Sequence, residues 1–214
     1  ATRADLEVLA GAAAPVDFSP MFAVAALLYD GPWVAERYAA IRSVMETRPG
    51  ILHPTTRAVI GAAARYSAAD AFAGFYSLAA LRQAADAVWD RVDVLAVPTY
   101  PRPQTCAAVA ADPIGPNSEL GTYTNFVNLL DWCALVVPGR PRADGFPAGI
   151  TLLAPRGSDG LLAALGARLH AVAGARIGAG PTPVPAAEPG PARALPGEIE
   201  LAVVGAHLSG LPLN

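Results

Sequence analysis

A chain of 214 residues is long enough for one domain with a sizeable core, or one domain and part of another, and 53% hydrophobic with 15% charged residues excludes a disordered chain. The net charge of −3, without a basic stripe, finger spacing or aromatic-rich strand motif, gives no reason to expect nucleic acid as a partner. The most apolar stretches, such as residues 22–29, fall far short of the roughly 20 residues that cross a bilayer, so no membrane partner is expected.

The chain opens without an initiating Met and without a basic-then-apolar leader, so it is expected to begin inside a longer sequence. Residues 20–30 predict a helix, with Met21, Phe22, Val24, Ala25, Leu28 and Tyr29 at helical spacing. Asp30-Gly-Pro32 breaks it, and Pro32 suits the start of a second helix, where its missing N–H costs nothing. That helix runs to about Glu46, with Val34, Tyr38, Ile41 and Met45 on one face, and Arg48-Pro-Gly50 stops it. His53-Pro54 opens a shorter helix over 54–62. A long one follows over 68–90, with Ser67 as its cap.

Residues 93–98, 134–138 and 149–154 are short continuous apolar runs, which predict strands buried on both faces. Between the first two lie a loop rich in proline, through Pro101, Pro103, Pro113 and Pro116, and a helix expected over 122–133. Residues 159–173 predict an amphipathic helix closing a domain. Residues 174–197 carry six prolines among Gly and Ala and predict a stiff linker. Residues 198–214 then predict the first strand of a further, truncated domain.

No catalytic set can be assembled from these residues. None of the seven serines sits in a Gly-x-Ser-x-Gly elbow, and His53, His170 and His207 are scattered over three segments. No phosphate loop is present, and no cofactor or metal is expected. Cys106 and Cys133 are far apart and read as reduced thiols ahead of a disulfide or metal site. All fifteen basic residues are Arg, so the chain contains no Lys. Asp86, Asp90 and Asp93 read as capping or solvated groups, and Asn125 and Asn128 as partners of loop backbone ahead of a polar pocket.

Several of these segments resemble one branch of the amidase-signature enzymes, the allophanate hydrolases. They are Tyr29-Asp-Gly-Pro-Trp-Val-Ala-Glu-Arg37, Leu52-His-Pro-Thr-Thr-Arg57, Tyr66-Ser-Ala-Ala-Asp-Ala-Phe72, Gly121-Thr-Tyr-Thr-Asn-Phe-Val-Asn-Leu-Leu-Asp131 and Ala143-Asp-Gly-Phe-Pro-Ala-Gly-Ile-Thr-Leu-Leu-Ala154. The final residues 201–214 resemble the start of those enzymes' extra carboxyl-terminal domain. The resemblance implies an α/β fold, part of a mixed β-sheet flanked by α-helices. Residues 1–173 would be the carboxyl-terminal half of the amidase domain.

It also implies a cytoplasmic amide hydrolase that releases ammonia from allophanate, with urea carboxylase as its pathway partner and room for a homodimer. The family's Ser nucleophile, second Ser and Lys, and its Gly- and Ser-rich oxyanion loop, belong to an amino-terminal half that must partner this one. This chain by itself is therefore expected to be inactive. On spacing alone, Arg37 reads as a surface cation paired with Glu36 or Asp30, and Tyr29 as a residue at the core boundary. The resemblance makes Tyr29 and Arg37 the pair that holds the substrate. The alternatives are another amidase or amidotransferase subunit and, in a different class, a non-enzymatic helical interaction module.

Overall fold

A computed structural model describes residues 2–10, 13–174 and 182–183. The expected linker, apart from Gly174, Thr182 and Pro183, and the expected strand at 198–214 lie outside the described residues.

The centre of the fold is the Gly-Ile-Thr-Leu-Leu-Ala run. As strand β3 (Gly149–Ala154) it is flanked on both sides, by β1 (Leu95–Pro98) and β2 (Cys133–Pro138), in the order β1-β3-β2. Both pairings are antiparallel, with Leu95 opposite Leu153 and Leu135 opposite Leu152. The mixed sheet that the resemblance implies appears among the described residues as an antiparallel piece. A strand's side chains alternate between faces. On one face Leu95, Val97 and Leu153 join Met21, Val24, Leu28, Ala85, Phe126 and Leu130 in a core. On the other, Ile150, Leu152, Ala154 and Val137 pack with Leu162 and Leu169.

Burial on both faces was expected of all three strands, and only β3 meets it. In β1 Leu95 and Val97 are buried while Ala96 and Pro98 are exposed. In β2 the exposed residues include Ala134 and Val136, the latter 54% exposed. Helical cover is therefore diagonal. One layer lies over β1 and β3, and the other over β3 and β2.

The first layer comes from α2 (Ser19–Asp30), α5 (Ala68–Asp86) and the turn of helix α8 (Val127–Leu130). The second comes from α9 (Asp159–Ala173), with α1 (Thr2–Ala10) packed on it. Helix α3 (Trp33–Thr47) sits beside α2 and α4 (Pro54–Gly61) beside α3, both near their predicted bounds. No helix among the described residues is long and apolar enough to cross a membrane.

Other elements also differ from expectation. The helix predicted over 122–133 shrinks to Val127–Leu130. Thr122, Thr124 and Asn125 instead form turns back to Glu119 and Gly121, as residues whose side chains compete for backbone bonds do. Asp131 ends the helix in the left-handed region at φ 58°, with Trp132 N–H donating to the Val127 carbonyl. The proline-rich loop holds two short helices, α6 (Cys106–Ala111), capped by Thr105, and α7 (Gly115–Leu120). The first helix, α1, was not predicted, and the long helix closes at Asp86, with a single 3₁₀ turn over Ala87–Asp90.

The cap foreseen at Ser67 is a reciprocal one. Ser67 Oγ accepts from the Asp70 N–H at 3.2 Å, and an Asp70 carboxylate oxygen accepts from the Ser67 N–H at 2.8 Å. These bonds, the backbone one foremost and the Ser67 hydroxyl next, hold the Asp70 carboxyl below its ordinary value of 3.8. A lowered folded value means that the stabilisation is fully present above the ordinary value and fades as pH falls towards the lower one. We expect the urea midpoint of Asp70→Asn to fall less than that of the unaltered protein between pH 7 and pH 3. Equal falls would show that the carboxylate is not coupled to folding.

Candidate functional site

The corner between α2 and α3 carries the two residues singled out from the sequence. An α-helix leaves its last four carbonyls without intrahelical partners. At the end of α2 this is aggravated by Pro32. It stands four residues after Leu28, where an N–H would otherwise be offered, and it has none. The structure supplies a side chain instead, with Arg37 Nη1 donating to the Leu28 carbonyl at 3.4 Å. Arg37 lies in the second turn of α3 and is half-buried, which brings its guanidinium over the negative end of the α2 dipole.

The corner itself depends on close backbone approach. Gly31 is buried and extended, at φ −116° and ψ −178°, so its backbone angles are open to any residue. A Cβ there, however, would meet the Leu27 carbonyl oxygen at 2.5 Å. A second close approach holds the corner from the side. A Cβ on Gly74 of α5 would meet Pro32 Cγ at 2.5 Å and Trp33 at 3.2 Å. Beside it, the rings of Trp33 and Phe75 meet edge to face with centroids 5.7 Å apart.

A further carbonyl of the corner is held from a distant segment. Tyr66 Oη donates to the Asp30 carbonyl at 2.9 Å, across 36 positions of sequence. Arg65 Nη2 donates to the same Tyr66 oxygen at 3.0 Å. The Arg65 guanidinium also lies 5.0 Å from the Tyr66 ring centroid. Periodicity gives no sign of this contact.

The structure thus places Arg37 on the corner's polar side. The backbone of Tyr29 falls in the last turn of α2, and its side chain lies outside the described residues. The other polar residues weighed from the sequence are dispersed. His53 caps α4, its Nδ1 accepting from the Thr55 N–H at 3.3 Å. His170 is on α9, where its Nε2 is buried without a hydrogen-bond partner, and His207 lies outside the described residues. Cys106 and Cys133 carry free thiols. No group of three or more His, Cys, Asp or Glu among the described residues could hold a metal ion.

One concavity escaped the sequence reading. It is an open cleft of about 470 Å³, lined by Arg82, Asp86, Trp89, Asp131, Trp132 and Arg156. Asp86 takes the Trp132 indole N–H at 2.8 Å, Arg82 donates to the Leu129 carbonyl at 2.6 Å, and Arg156 pairs with Asp131 at 2.9 Å. These residues come from three segments, so no local spacing could have announced them. Their polar groups join α5 to the turn ahead of β2.

The corner's geometry gives a stability test. We expect Gly31→Ala to destabilise the protein by about 1–3 kcal/mol, because the obstructing atom is a backbone oxygen that cannot turn aside. Chemical denaturation checks it, and an unchanged midpoint would show that the corner tolerates a side chain.

Comparison with known proteins gives this arrangement a context. The family model described as Amidase matches residues 15–163. The chain is similar to the urea amidolyase of Lachancea kluyveri, 41% identical over 219 residues, covering 98% of this chain and 12% of that protein. The solved Kluyveromyces lactis allophanate hydrolase aligns at a TM-score of 0.76 and 39% identity, over 92% of this chain and 34% of that one. The K. lactis urea amidolyase aligns at 0.79 and 39% identity, over 92% of this chain and 12% of that one. The chain therefore spans only a minor part of each of these relatives.

Proposed function

The chain belongs to the amidase family, and from that premise we propose that it is the substrate-holding carboxyl-terminal half of an allophanate hydrolase domain. What carries the reading is likeness to a solved allophanate hydrolase over 92% of the chain, beside a match to the Amidase family model over residues 15–163, which take in the corner that bears Tyr29 and Arg37. Residues 1–173 are the half-domain, 174–197 a linker and 198–214 the beginning of another domain. The diagonal cover of the sheet supports a missing half. Val136 and its neighbour Ala134 on one face, and Ala96 and Pro98 on the other, leave strand surface for further structure to cover.

In this reading the chain binds and orients while residues outside it perform the bond-breaking step. The sequence has no Lys to complete the family's catalytic set. Allophanate is a small planar anion with a carboxylate at one end and an amide at the other. A guanidinium meets a carboxylate with two parallel N–H donors, a match that a Lys ammonium cannot make. Tethering one Arg37 nitrogen to the Leu28 carbonyl fixes the plane of that fork before substrate arrives. Tyr29, in the last turn of α2, is the second residue assigned to the substrate in this reading. With the carboxylate held, the amide carbonyl is presented for hydrolysis, which cleaves the C–N bond and releases ammonia. A urea-carboxylating enzyme supplies the substrate.

In the complete enzyme, Arg37→Ala is expected to lower kcat/KM for allophanate by about 2–5 kcal/mol, as for removing one partner of a buried charged pair. Arg37→Lys should recover only part of the loss. Tyr29→Phe should cost about 0.5–1.5 kcal/mol, the worth of a neutral hydrogen bond. Steady-state kinetics decide it: a folded Arg37→Ala enzyme with unchanged kcat/KM for allophanate removes the substrate-binding assignment.

A further inference from the structure

The corner that bears Arg37 is gripped by a single stretch of chain that contributes no group to the proposed substrate contacts. Within ten positions, Tyr66 bonds the Asp30 carbonyl, Gly74 receives Pro32, and Phe75 packs on Trp33. Two of these contacts are steric and set how closely α5 approaches. The Tyr66 bond is directional, and its own direction is fixed. Because Arg65 donates to the Tyr66 oxygen, the hydroxyl proton is left to point at the Asp30 carbonyl. The backbone of Tyr66 is anchored in turn, since the next residue, Ser67, is locked into the cap of α5 by Asp70.

We propose that Tyr66, backed by Arg65, is a positioning residue for substrate recognition: its hydroxyl clamps the last carbonyl of α2 and so fixes the corner from which Arg37 presents its fork. The inference rests on the reading of Arg37 as the group that binds the substrate carboxylate. The clamp and the fork act on the same helix end, Arg37 on the Leu28 carbonyl and Tyr66 on that of Asp30. Loosening one carbonyl lets the end of α2 drift and carries the other with it. Such drift misaligns a bidentate contact that tolerates little angular error. It leaves the reacting bond and the catalytic groups where they were. The consequence is weaker binding of an anionic substrate at an unchanged rate of turnover.

Tyr66→Phe in the complete enzyme is the test, because it keeps the ring and the Arg65 stack and removes the hydroxyl, and with it the clamp and the Arg65 bond that directs it. The substrates are allophanate and biuret, in which a neutral amide replaces the carboxylate. The expected result is a KM for allophanate raised roughly 3- to 10-fold, kcat held within about twofold, and a much smaller change for biuret. In an Arg37→Ala background, Tyr66→Phe should add little. Arg65→Gln, which leaves the hydroxyl but frees its direction, should raise KM in the same sense by less.

Equal rises in KM for both substrates, or an effect of Tyr66→Phe that adds in full to Arg37→Ala, would mean that Tyr66 only stabilises the fold and would overturn the inference. A silent Tyr66→Phe beside an effective Arg37→Ala overturns this inference alone and leaves the proposed function standing. A silent Arg37→Ala removes both.

Discussion

A strand bonded along both edges and buried on both faces leaves its neighbours little freedom, and β3 is such a strand. Its backbone groups are committed to β1 and β2, and its side chains from Ile150 to Ala154 are all buried. Alternation sends Leu153 into one core and Leu152 into the other, so one six-residue run anchors two helical layers. Even its single polar side chain has a partner, since the Thr151 and Thr99 hydroxyls lie 3.2 Å apart. The layers cover the sheet diagonally, and the strand surface left over is a direct consequence of how much helix this stretch of sequence supplies.

The corner between α2 and α3 inherits its rigidity from the first of those layers. Met21, Val24 and Leu28 bury one side of α2 in the core, so the helix cannot rotate without opening it. Its last carbonyls lack intrahelical partners. Pro32 makes the shortage worse by withholding an N–H, and Arg37 and Tyr66 make it good from two directions. Capping a carbonyl and binding a substrate are compatible tasks for one guanidinium, because its five donors form a fixed fork and immobilising one orients the rest. The α2 dipole favours a cation at that place whatever else it does.

Helix α5 shows the same division between what faces inward and what does not. Gly74, Leu78, Leu81 and Ala85 turn towards the corner and the core, at helical spacing. Phe72 and Tyr76 on its outer side are 62% and 74% exposed, more than large apolar side chains usually are. The chain belongs to the amidase family and spans only a minor part of the relatives it matches.

The sequence by itself determined the local elements wherever one residue governs one turn. Asp30-Gly-Pro32 placed the break between α2 and α3, Ser67 placed the start of α5, and continuous apolar runs placed all three strands to within two residues. Each of these rests on a short-range rule that the chain cannot escape, such as a missing N–H, a capping hydroxyl or an apolar run too short for a helix. The motif around Tyr29 and Arg37 singled out the corner between α2 and α3 through resemblance alone, since spacing favoured a surface cation there.

Only the tertiary structure decided the rest. It shortened the helix expected over 122–133 and, among the described residues, made β3 the one strand of three buried on both faces. It brought Tyr66 to Asp30 across 36 positions and gathered Asp86, Asp131 and Arg156 around one cleft. The physical reason is common to all four. Burial and hydrogen bonding between distant segments depend on which surfaces meet, and local periodicity holds no record of that meeting.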